Sequence, residues 1–163
     1  GVNLLWYNIT DWLGILAILI AFGFTVIGLY QLIKRKSLFK VDKEIALLGI
    51  FYLIITVVYV FFEKVIINYR PIILEASLEA SYPSSHTMIV ICIMVTAILV
   101  FEHLFCKHLC LKISKVICIS LIVITVLGRF ISGVHWFTDI IGGILLSLSL
   151  VMLYYSTITA IKK

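Results

Sequence analysis

Residues 82–101 read YPSSHTMIVICIMVTAILVF, a proline, two serines and a histidine set directly ahead of an apolar run. The run has the character of a membrane helix, so the polar groups crowded at its mouth need an explanation. The whole chain of 163 residues is 63% hydrophobic and only 13% charged, with a mean hydropathy of +1.22. Such values lie outside the range of soluble domains and indicate an integral membrane protein. A spanning helix needs about 20 apolar residues. Trp12 to Ile33, Ile45 to Phe62 and Ile140 to Ala160 meet that length, whereas Thr87 to Phe101 and Val116 to Leu127 meet it only if flanking polar residues continue the helix. Backbone in lipid must satisfy its own hydrogen bonds, which makes helices the default. The expected fold is therefore all-α, a polytopic transmembrane helix bundle with five spanning helices forming one domain over residues 1–163. The chain starts at Gly1 with neither an initiator Met nor a signal-peptide charge pattern, so a further helix is expected upstream, making six in the full-length protein.

Lysine and arginine set the orientation, because short loops rich in them stay cytoplasmic. The first connection, KRKSLFKVDK, carries Lys34, Arg35, Lys36, Lys40 and Lys43; the third carries Lys107, Lys112 and Lys115; the tail ends in Lys162 and Lys163. An odd number of crossings puts these segments on one face, which is read as cytoplasmic. The net charge of +5 is then topogenic, and no nucleic-acid partner is expected. Cys92 and Cys118 fall within helices, and Cys106 and Cys110 near a cytoplasmic end where thiols stay reduced. The stretch EHLFCKHLC groups Glu102, His103, Cys106, His108 and Cys110, but it has no paired CxxC knuckles and sits beside lysines. It is read as an interfacial helix end, and no metal is expected.

The opposite face carries few polar residues, and they are chemically matched. Pro71 and Pro83 break helix and shape the second connection. Ser84 and Ser85 fall where the third helix should begin, a place where hydroxyls cap free backbone N–H groups and where the helix dipole favours an anion such as phosphate. His86 occupies that first turn. At the next junction on this face, GRFISGVHWFTDI, Arg129 closes one helix, Ser132 and Gly133 break the chain, and His135 and Asp139 follow four residues apart. On a helix these two would share one face, and a carboxylate on one ring nitrogen leaves the other basic and outward-facing. Ordinary capping and an interfacial ion pair are the competing readings, but ionisable groups within membrane proteins are functional candidates by default.

These residues resemble the type 2 phosphatidic acid phosphatases, membrane lipid phosphatases that share their site with vanadium haloperoxidases. The family's signatures run approximately KxxxxxxRP, PSGH and SRxxxxxHxxxD. Here the third appears as Gly128, Arg129, His135 and Asp139 in matching spacing, with Gly in place of Ser. The second appears as Pro83, Ser84, Ser85 and His86, with Ser85 in place of Gly. For the first, Arg70 and Pro71 match, while Lys64 stands one residue too close and Glu63 holds the expected position. A separation of six residues leaves Lys64 and Arg70 roughly 120° apart on a helix. Lys64 therefore reaches a phosphate only if the helix ends early, and otherwise snorkels to the interface beside Glu63.

The resemblance implies a metal-independent, cofactor-free hydrolase. His135, oriented by Asp139, would attack phosphorus to form a phosphohistidine, and His86 would protonate the leaving oxygen. Arg70 and Arg129 would clamp the phosphoryl oxygens with help from Ser84, Ser85 and, if it reaches, Lys64. A phosphate-binding site on the outer face of a bacterial plasma membrane, flanked by apolar helices, implies a lipid phosphate or isoprenyl pyrophosphate as substrate. Undecaprenyl pyrophosphate, phosphatidylglycerol phosphate and phosphatidic acid all remain open, as do a lipid phosphotransferase and a non-catalytic membrane partner on the same scaffold.

Overall fold

Every expected apolar run forms a helix longer than the run itself in the computed structural model, which describes residues 1–74, 78–104 and 108–162. In chain order these are α1 (Leu4–Arg35), α2 (Lys43–Lys64), α3 (Ser85–Leu104), α4 (His108–Ser132) and α5 (Phe137–Lys162). All five are long and apolar enough to cross a membrane. The two short runs gain their length from polar neighbours: α3 takes in Ser85 and His86, and α4 takes in His108 to Lys115 at one end and Gly128 to Ser132 at the other. Local chemistry sets the termini. Asn3 caps α1 by accepting the Trp6 N–H at 3.2 Å, and Lys36 ends that helix in a left-handed conformation.

Alternating direction brings the starts of α1, α3 and α5 to the same end of the bundle as the ends of α2 and α4. The basic residues Lys34, Arg35, Lys36, Lys40, Lys43, Lys112 and Lys115 gather at the other end. There Asp42 closes the α1–α2 turn, accepting from Arg35 at 2.6 Å and from Gln31 at 2.8 Å. The Arg35 guanidinium holds its carboxyl below the usual aspartate range. Lys115 pairs with Glu102 at 2.7 Å across the α3–α4 connection. The side chains of His103, Cys106, Lys107, Lys162 and Lys163 fall outside the described residues, and with them much of the Glu102–Cys110 stretch.

The bundle is built around α3. More than half of its span is buried, 56% against 11–28% for the others, and Met88, Val90, Cys92, Met94, Ala97 and Val100 are almost wholly enclosed. Aromatic contacts join the helices: Phe24 of α1 meets Phe101 of α3 at 5.5 Å, and Phe51 of α2 meets Tyr154 of α5 at 5.1 Å between ring centroids. The outer faces expose Leu19, Phe22, Ile124, Leu148 and Met152. An apolar exterior of this extent suits hydrocarbon, since in water so large a patch would drive association.

One close approach fixes where α1 stands. A Cβ added at Gly128 of α4 would lie 2.5 Å from Thr10 Cγ2 and 3.0 Å from the Trp6 ring. Thr10 is fully buried and its hydroxyl donates to the carbonyls of Trp6 and Tyr7 at 2.9 Å. Small residues let helix backbones meet closely in membranes, and this contact accounts for glycine at a position where the resembling signature has serine. Gly128→Ser should therefore force α1 and α4 apart and cost about 1–3 kcal/mol. A lowered apparent unfolding midpoint in detergent, relative to an exposed control such as Ser149→Ala, would register it.

Candidate active site

The connection between α2 and α3 is shaped by a short antiparallel bridge between Tyr69 and Ala80. Arg70 N–H donates to Glu79 O at 3.1 Å and Ser81 N–H to Asn68 O at 2.9 Å. The Trp136 indole donates to Tyr69 O at 2.9 Å and ties the bridge to the α4–α5 turn. Backbone pairing thus holds Arg70 and Ser81 in place although neither lies in a helix. Arg70 Nε stands 3.0 Å from Glu79 Oε2, while its Nη1 is buried with no hydrogen-bond partner among the described residues.

His135 lies in the turn after Gly133, whose φ of +70° glycine adopts without strain. Its Nδ1 is 3.2 Å from both the carbonyl and the hydroxyl oxygen of Ser81, and 3.8 Å from Asp139 Oδ2. Asp139 Oδ2 in turn accepts from the Ser81 hydroxyl and, at 2.9 Å, from Trp136 N–H. His135 and Asp139 are therefore neighbours at 3.8 Å, beyond hydrogen-bond distance, with Ser81 standing between the two groups. The reason is local: α5 begins at Phe137, so His135 precedes the helix and does not share a helical face with Asp139. A carbonyl can only accept, so the proton sits on Nδ1, leaving Nε2 bare. Nε2 is buried and has no hydrogen-bond partner among the described residues. Burial pushes the imidazole's pKa below the usual histidine value; Arg70 and Arg129 push the same way, and Asp139 opposes them. The ring is a neutral base with its lone pair available.

Arg129, at the end of α4, has no exposed surface. Its Nη2 donates to Asp11 Oδ1 of α1, and its guanidinium carbon lies 5.1 Å from the centre of the Tyr7 ring. Nε and Nη1 remain buried without partners among the described residues. His86, in the first turn of α3, places Nε2 3.1 Å from the same Asp11 oxygen, and its Nδ1 has no partner among the described residues. Arg70, Arg129, His86 and His135 each hold a buried nitrogen without a partner among the described residues, and both arginines stand near enough to act electrostatically on His135.

The serines separate. Ser84 is fully buried: its N–H donates to Asp139 O at 2.9 Å, its carbonyl accepts from Met88 N–H at 3.0 Å, and its hydroxyl accepts from Thr87 at 3.1 Å. It is a tie between α3 and α5. Ser85 lines two adjoining recesses. One is a cleft with Arg70, Glu63, Tyr82 and His135; the other is a groove of about 440 Å³ with Asp11 and His86 at its head and Ile15, Ile55, Ile89 and Ile93 along its length. Lys64 is exposed at the last residue of α2. The helix does end early, but Glu63 and not Lys64 lines the cleft.

Sequence reasoning missed Asp11, Ser81 and Glu79. Asp11 carried one signal, a lone carboxylate near the start of a long apolar segment. Ser81 and Glu79 carried none, since each acts through a contact that only the folded connection creates.

Comparison with known proteins bears on family and fold. The family model for the PAP2 superfamily matches residues 50–163. Among solved structures, the first transmembrane PAP2 type phosphatidylglycerolphosphate phosphatase from Bacillus subtilis superposes with a TM-score of 0.64. That alignment covers 96% of this chain and 78% of the other at 24% identity, a likeness of fold. Comparison with curated proteins found no match.

The electrostatics of His135 can be tested directly. Its titration, followed by NMR of labelled imidazole, should have a midpoint below the ordinary histidine value. Arg70→Ala removes a cation and should raise the midpoint; Asp139→Asn removes an anion and should lower it further. Opposite shifts would mean that neither group governs the ring.

Proposed function

The chain belongs to the PAP2 superfamily, and on that footing we propose that it hydrolyses phosphate from a membrane lipid phosphate or isoprenyl pyrophosphate, without metal, through a phosphohistidine on His135. One observation carries this reading. Arg70, Arg129, His86 and His135 present buried nitrogens without partners among the described residues; Arg70 and His135 line a cleft that shares Ser85 with the apolar groove headed by His86. Cationic forks and imidazoles suit a phosphate; isoleucines along the groove suit the hydrocarbon tail.

In this mechanism Nε2 of His135 forms a bond to phosphorus as the bond from phosphorus to the lipid oxygen breaks. His86 gives that oxygen its proton, and the lipid alcohol departs. Neutral His86 then takes a proton from water, whose oxygen attacks phosphorus; the P–N bond breaks and inorganic phosphate leaves. Arg70 and Arg129 carry the charge that spreads over the phosphoryl oxygens. Ser81 and Asp139 hold the proton on Nδ1, which makes Nε2 the nucleophile. Ser85, shared by cleft and groove, is positioned to contact the phosphate, whereas Ser84 supports the site from beneath.

The basic end of the bundle supports a cytoplasmic assignment for the face opposite the site. The active site is then extracytoplasmic, consistent with a bacterial plasma membrane protein drawing on outer-leaflet lipid.

Phosphate release from a lipid-phosphate panel in detergent micelles with excess chelator tests the reaction, and release without an added acceptor separates hydrolysis from phosphoryl transfer. His135→Ala should abolish turnover. Arg70→Ala and Arg129→Ala should each lower kcat/KM by about 10²-fold or more, and Lys64→Ala by far less; full activity of His135→Ala would sink the assignment. Topology has its own check. A cysteine at Leu78 should react with an impermeant reagent added outside intact cells, and one at Ser37 should not.

A further inference from the structure

Asp11 belongs to α1, a helix outside the segment that the family model matches, yet it stands inside the site. One of its oxygens, Oδ1, meets both Arg129 Nη2 and, at 3.1 Å, His86 Nε2. A buried arginine needs a counter-ion, and a carboxylate touching the guanidinium alone would serve that need. Two features exceed it. The same oxygen engages the histidine, and α1 is notched to receive the ring: a Cβ added at Gly14 would lie 2.7 Å from His86 Cδ2 and 3.2 Å from Nε2. The Nε2 edge of His86 is seated against α1, and Nδ1 is left buried with no partner among the described residues.

We propose that Asp11 is a positioning residue of the phosphatase reaction: its carboxylate binds the Nε2–H of His86 beside Arg129, so that the proton delivered to the leaving oxygen is the one on Nδ1. The inference rests on the functional reading above. The two histidines are then held in opposite senses. His135 is fixed through Nδ1 by Ser81 and acts at Nε2; His86 is fixed through Nε2 by Asp11 and acts at Nδ1. Proton transfer from Nδ1 leaves a neutral imidazole still bonded to Asp11, with Nδ1 ready to take a proton from the attacking water. The titratable groups that face His86 are Asp11 on α1, Arg129 on α4 and His135 in the α4–α5 turn, and Tyr52 and Tyr59 of α2 line the same groove. Among these, Asp11 is the anion, in direct contact with His86 Nε2.

Asp11→Asn keeps the shape and removes the charge. On dioleoyl phosphatidic acid in micelles it should lower kcat about 10²-fold without raising KM, because a carboxylate beside a phosphate does not favour binding. On p-nitrophenyl phosphate, whose leaving group departs without a proton, the loss should be at least about tenfold smaller. Gly14→Ala, which fills the notch and leaves the charge, should give the same pattern. Equal losses on both substrates, or a raised KM with kcat unchanged, would reduce Asp11 to a counter-ion for Arg129 and overturn the proposal. ¹⁵N shifts of the His86 ring, assigned with His86→Gln, read the tautomer whatever the turnover. They should show a protonated Nε2 in the wild type and a changed Nδ1/Nε2 pattern in Asp11→Asn, and identical patterns would overturn the proposal independently. A wild type inactive on every lipid phosphate would instead defeat the functional reading, with the tautomer still measured.

Discussion

A guanidinium with no exposed surface, held inside a bundle whose outer faces meet hydrocarbon, has to be neutralised by the protein itself, because neither water nor lipid tails can do so. Arg129 is in that position. Its anion comes from a helix 118 residues earlier in the chain, and much of the architecture follows from keeping the two together. Tyr7 covers the guanidinium face, while Thr10 and Trp6 press against α4 where Gly128 gives them room. One face of α1, with Tyr7, Thr10, Asp11 and Gly14 on successive turns, is committed to the arginine and the histidine beside it.

The two arginines are handled alike. Each is tethered by a carboxylate outside the signature residues, Arg70 by Glu79 and Arg129 by Asp11, and each keeps nitrogens free of partners among the described residues. A tethered fork has already lost much of its rotamer freedom, so binding an anion costs less ordering than it would for a loose side chain. The tethers also moderate like-charge repulsion between two cations that are near enough to influence the same imidazole. On the proposed function, tethered arginines are what electrostatic stabilisation of a spreading charge requires.

The five helices, the basic end, and the clustering of Arg70, His86, Arg129, His135 and Asp139 at the other end were legible from the chain itself. They depend on hydropathy, helix periodicity and charge counts, which are local properties that survive any arrangement of the neighbours. Even the extension of the two short runs by their polar flanks could be read in advance, since backbone in a membrane leaves few alternatives to continuing a helix. What the local pattern got partly wrong was the His135–Asp139 pair. Spacing suggested one helical face, but the helix begins after His135, and Ser81 enters the gap.

Tertiary structure alone decided which groups meet. Asp11, Ser81 and Glu79 act through contacts between helices or across a folded connection, and the partner in each case depends on how an element is rotated and how deeply it sits. Glycine at 128 in place of serine, and Glu63 rather than Lys64 beside the cleft, have the same origin. They record the distance between α1 and α4 and the point at which α2 stops. Sequence determined that a membrane bundle would carry a cluster of cationic and basic groups at one end. Packing determined which anions hold that cluster in place, because side chains distant in sequence acquire a common environment only when the helices close around them.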